Sequence, residues 1–69
     1  MQNIWCVGST VKVKKTGLLG TIKQVLIYYP NQTKFMCEIK MDNGKELVYR
    51  ADIHGGPEGE IDLIKSAAM

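Results

Sequence analysis

Apolar and polar residues alternate with a period of two over most of the chain, which predicts strands rather than helices. Val11 and Val13 alternate with Lys12 and Lys14, so a first strand buries one face and wets the other. A second strand, over about residues 20–29, changes phase: Ile22 fits one parity, whereas Val25, Ile27 and Tyr29 fit the other. A β-bulge near Lys23 and Gln24 reconciles the two halves and turns Leu26 and Tyr28 outward. In the third strand Phe35, Cys37, Ile39 and Met41 share the inward parity, and Lys34, Met36, Glu38 and Lys40 the outward one. "KELVYR" predicts a fourth strand and "EIDLIK", residues 60–65, a closing fifth. The only helix-like stretch, "KSAAM", is too short to form a stable helix unaided.

The breaks between these runs carry turn chemistry. Gly17 and Gly20 punctuate a tight connection, and "PNQT", residues 30–33, is a turn. "DNG" at 42–44 is a hairpin signal with two registers. A two-residue loop pairs Ile39 with Val48. A three-residue loop with Gly44 as a bulge pairs Ile39 with Leu47 and Lys40 with Glu46, and is preferred because it matches opposite charges outside. "ADI", residues 51–53, reads as a 3₁₀ turn, and the glycine-rich "HGGPEG" after it lacks phosphate-loop spacing. The chain is thus expected to be one all-β domain over residues 1–69, with its core over about 7–65 and short flexible ends.

Five short strands, a bent second one and a short turn before the last describe a five-stranded, partly open barrel of SH3-like type. "VGSTVKVKKTGLLGTIKQV", residues 7–25, resembles the KOW motif, in which a Gly-x-x-Val-x-Val strand leads through a glycine-containing loop to a second strand. The matching positions are Gly8, Val11, Val13, Gly17, Gly20, Ile22 and Val25, under a third of the chain, and similar spacing occurs in Tudor-like domains. The resemblance implies a noncatalytic binding module, since KOW-like domains touch RNA, DNA or polymerase. Ser9 and Thr10 stand where that family often carries an acidic residue, and the lysine-rich loop of its ribosomal members is absent.

Length narrows the chemistry. At 69 residues the chain buries only about 60% of the surface its unfolded form exposes, which leaves little room for a deep catalytic cleft. Its 45% hydrophobic and 23% charged residues still place it among folding domains. Cys6 and Cys37 are the only cysteines and lie outside any CxxC spacing, so they read as free thiols, with a Cys6–Cys37 disulfide as the alternative. The run from Val25 to Tyr29 is far shorter than the roughly 18 residues of a membrane-spanning helix. "MQNIWCVGS" has no basic n-region and no long apolar h-region, so a cytoplasmic location is expected, with no membrane partner.

Charge is distributed unevenly. Residues 12–50 hold eight of the nine basic residues and three of the seven acids, a local excess of five positive charges on a chain whose net charge is only +2. Lys12, Lys14, Lys15, Lys23 and Lys34 fall on outward positions or loops, where they either grip phosphates through counterion release or keep strand exteriors soluble. Tyr28 beside them is a candidate base-stacking residue. Leu26, Tyr28 and Met36 form a candidate apolar patch for a protein partner or a second copy. Tyr28, Phe35, Tyr49 and Trp5 are the aromatics available for a methyl-lysine cage. The lone His54 assembles neither a zinc site nor a triad. Glu58, Glu60 and Asp62 suggest an acidic rim able to meet another copy's lysines. The expectation is a nucleic-acid-binding or nucleoprotein-associated module without cofactor, metal or catalytic residue. The alternative is a protein-protein adaptor or small accessory subunit that uses the Leu26, Tyr28 and Met36 patch, a homodimer being one form of it.

Overall fold

A computed structural model describes residues 5–26, 33–54 and 56–67. Five strands, β1 (Thr10–Val13), β2 (Leu19–Leu26), β3 (Lys34–Met41), β4 (Glu46–Asp52) and β5 (Ile61–Lys65), form one antiparallel sheet in the order β4-β3-β2-β1-β5. At the edges of the sheet Glu60, just before β5, donates its N–H to the Arg50 carbonyl of β4 at 2.7 Å, and the sheet does not close. No helix among the described residues is long and apolar enough to cross a membrane.

The phase change in β2 resolves into a bulge at Lys23. Ile22 pairs with Ile39 but Gln24 pairs with Glu38, so two residues of β2 advance while β3 advances one. Ile22 and Val25 thereby both face the core, and Leu26 turns out. Residues 27–32 of the expected strand and turn, Tyr28 among them, lie outside the described residues.

The hairpin after β3 adopts the three-residue register, with Ile39 opposite Leu47 and Lys40 opposite Glu46. Gly44 occupies φ +91°, the left-handed region that closes such a loop without a Cβ clash. Beyond it the expected 3₁₀ turn at 51–53 is replaced. Ala51 and Asp52 extend β4 because Phe35 and Lys34 stand opposite them in the ladder, and only Ile53 and His54 turn.

Inside the sheet, Val11, Val13, Ile22, Cys37, Ile39, Met41, Ala51 and Ile61 form the core, which realises the inward parities of β1 and β3. Trp5 closes one end, edge-on to Phe35 with centroids 5.5 Å apart and planes at 82°, a favourable aromatic geometry. These two rings are core, so they supply no cage. Ser9, fully buried, ties the chain's two ends together: its Oγ accepts the Ala67 N–H at 3.0 Å and the Cys6 N–H at 3.4 Å.

Candidate functional site

The lysines are drawn to the chain's own acceptors. Lys14, just beyond β1, donates through Nζ to the Gly56 carbonyl at 2.8 Å and lies 3.8 Å from Asp62 Oδ1. Lys23, set outward by the bulge, donates to Glu46 Oε2 at 2.8 Å. That hydrogen bond, with its charge attraction, raises the Lys23 pKa and lowers that of Glu46. Lys34 lies 3.3 Å from Glu58 Oε1. Lys12 and Lys15 are exposed and carry no ion pair among the described residues. The five do not share one focus: Lys14 and Lys34 reach the two ends of the 56–58 segment, with Lys15 next to Lys14, whereas Lys23 points to β4 and Lys12 stands opposite Asp62 on β5.

The acidic residues explain this arrangement. Glu58 and Asp62 answer Lys34 and Lys14 within the chain. Glu60 joins the two sides of the sheet: its N–H donates to the Arg50 carbonyl at 2.7 Å, its Oε1 accepts the Arg50 N–H at 2.7 Å and its carbonyl accepts the Lys14 N–H at 3.0 Å. His54 is exposed and its backbone N–H donates to Asp52 Oδ1 at 2.9 Å. Among the described residues no group of three metal-ligating side chains converges.

On the outer face Leu26 and Met36 stand directly opposite each other across β2 and β3, and Arg50 is Met36's partner on β4. Leu26 is 38% exposed and Val48, diagonal to Met36 on the same face, is 50% exposed. Tyr28, the third residue assigned to this face, lies outside the described residues.

A cleft of about 430 Å³ opens between the segment after β1, the middle of β4 and the approach to β5, lined by Val13, Lys14, Lys15, Tyr49, Pro57 and Glu60. No linear pattern announces it, since its walls come from residues 13–16, from Tyr49 and from residues 57–60, the first more than thirty residues from the other two, and they meet only where the sheet stays open. A smaller hollow of about 300 Å³ lies against Leu18, Leu19, Met41, Asp42 and Asn43.

Both cysteines are free, Cys6 half-buried with Sγ 3.5 Å from Ser9 Oγ and Cys37 fully buried. Desolvation pushes the Cys37 thiol up to about 11. An unfolded thiol ionises near 8.5, so this group leaves stability unchanged below about pH 8 and removes it above, as the unfolded chain loses protons that the folded chain retains. Stability should therefore fall by up to about 1.4 kcal/mol per pH unit more steeply in wild type than in Cys37→Ala. Urea unfolding at about pH 8 and about pH 10 measures this, and equal slopes in the two proteins would contradict it. Comparison with family models, curated proteins and solved structures finds no match to the chain, so its surface is interpreted from its own residues alone.

Proposed function

We propose that the protein is a noncatalytic interaction module, an SH3-like partly open barrel that engages a protein partner through the outer face of β2, β3 and β4. Leu26 and Met36 carry this reading, because the bulge at Lys23 sets them opposite each other on the outer parity, Leu26 exposed and Met36 half-buried, and exposed apolar clusters mark partner contacts. Val48 extends the patch, and Arg50, Glu38 and the Lys23–Glu46 pair give it a polar rim, the anatomy of a protein contact. RNA or DNA is the second reading, favoured by the gathering of Lys14, Lys15 and Lys34 around residues 56–58. Its weakness is that Lys14 and Lys34 already hold acceptors of their own.

Two double variants separate the readings. A chain carrying Leu26→Lys and Met36→Glu should lose a cross-linked partner complex, or a light-scattering dimer if the partner is a second copy. One carrying Lys12→Glu and Lys14→Glu should keep it. Titration with single-stranded RNA and duplex DNA at two ionic strengths completes the test. Tight, steeply salt-dependent binding that only the lysine variant abolishes would replace the protein reading with the nucleic-acid one.

A further inference from the structure

We infer that the gap between β4 and the turn after β1 binds an extended peptide carrying one carboxylate among apolar side chains. This site adjoins the outer face at Val48 but uses the free backbone edge of β4, and it does not depend on Leu26 or Met36.

The open edge of β4 supplies the first half of the argument. Both backbone groups of Arg50 point away from β3, its N–H to Glu60 Oε1 and its carbonyl to Glu60 N–H. Backbone groups in a strand alternate sides, so Val48, two residues earlier, turns its N–H and carbonyl to the same side. Glu60 is the last residue to occupy that lane before the chain leaves to pair β5 with β1. Among the described residues nothing pairs with β4 beyond it. Leu47 and Val48, 41% and 50% exposed, flank this short open edge. An added strand would satisfy these backbone groups, the recognition mode in which main-chain bonds give affinity and neighbouring pockets select side chains.

The cleft supplies the selecting pocket. It begins at Tyr49, between Val48 and the Glu60 cap, and its volume of about 430 Å³ falls in the range of ligand sites. Val13, Tyr49 and Pro57 give it an apolar lining for a side chain next to the added backbone. Lys15, exposed and without an ion pair among the described residues, lines the cleft, while Lys14 is held against Gly56 and Asp62. Glu60 lines the cleft beside Lys14, whose N–H its carbonyl accepts, with Oε1 accepting from Arg50. The Lys15 ammonium, unpaired among the described residues, fits one carboxylate. A phosphodiester strand would bring several negative charges past Glu60 and Asp62, so the charge pattern favours a peptide over nucleic acid.

The full-length chain, labelled with ¹⁵N, is titrated with acetyl-Gly-Leu-Glu-Val-Gly-amide, its Gln analogue, its backbone N-methylated analogue and a hexamer of uridylate. Saturable shifts are expected at the amides of Lys15, Val48, Tyr49 and Glu60, with Kd about 0.1–1 mM. The Gln analogue and Lys15→Glu should each weaken binding about fivefold, N-methylation should abolish it, and Met36→Glu should leave it unchanged. The proposal is overturned if those amides do not shift, if the Gln analogue binds equally well, or if oligouridylate binds them more tightly than the peptide. Because Met36→Glu tests only the outer face, failure there and failure here are distinguishable.

Discussion

Replacing Ile39 with alanine is expected to lower the unfolding free energy by about 3–4 kcal/mol, the loss typical of truncating a buried aliphatic side chain in a site that cannot collapse. Ile39 has no exposed surface and sits on the interior strand β3, opposite Ile22 on one neighbour and Leu47 on the other. A domain of this length has roughly 3–10 kcal/mol of stability in total, so this one change consumes a large share of it. The midpoint of thermal unfolding should fall by about 15 °C or more. Val48→Ala, on the exposed outer face, should change stability by less than about 0.5 kcal/mol. Urea denaturation of both variants checks the contrast. A loss below about 1 kcal/mol for Ile39→Ala would mean that the core can refill and that this position does not anchor it.

Gly20→Ala should be nearly as damaging although it adds a single methyl. A Cβ at Gly20 would stand 2.5 Å from Ile39 Cγ2, 3.0 Å from Met41 Sδ and 3.1 Å from the Lys40 carbonyl. The nearest atom belongs to a fully buried, β-branched side chain, so it cannot swing aside without displacing the core. Overpacking of this kind costs about 1–3 kcal/mol and outweighs the smaller gain from a less flexible unfolded chain. Leucine lacks the branching methyl at Cβ, so Ile39→Leu removes the 2.5 Å contact. In that background Gly20→Ala should cost about 1 kcal/mol less, a coupling that a double-mutant cycle measures. Simple additivity would place the damage at the Lys40 backbone instead.

Local rules made much of the fold legible. The parities of β1 and β3, the bulge at Lys23 and the Gly44 hairpin register all follow from period-two alternation and turn chemistry, which act within about ten residues. Trp5 was harder to place. As one aromatic in a stretch without periodicity it reads as a candidate cage wall, and its burial and edge-on contact with Phe35 place it in the core. The turn expected at 51–53 failed for a similar reason. Its residues look like a turn locally, but the ladder with Lys34 and Phe35 carries β4 through Asp52.

The surface was legible in type more than in arrangement. Lysines on alternate positions announce an outward face, yet nothing in their spacing tells Lys14 to seek Gly56 or Lys34 to seek Glu58, forty-two and twenty-four residues away. Leu26 and Met36 meet across β2 and β3 as their parities require, because the bulge between them is a local event, with Leu26 exposed and Met36 half-buried.

By itself the sequence determined the strand content, the inward and outward faces of β1 and β3 and the change of phase in β2, since each depends on neighbours along the chain. The tertiary structure alone decided which charges pair, how far β4 extends, and that Glu60, just before β5, bonds to Arg50 of β4. The physical reason is distance along the chain. Strand faces are set by side chains two residues apart, whereas the cleft and the open edge of β4 depend on how far the sheet bends before its two edges meet.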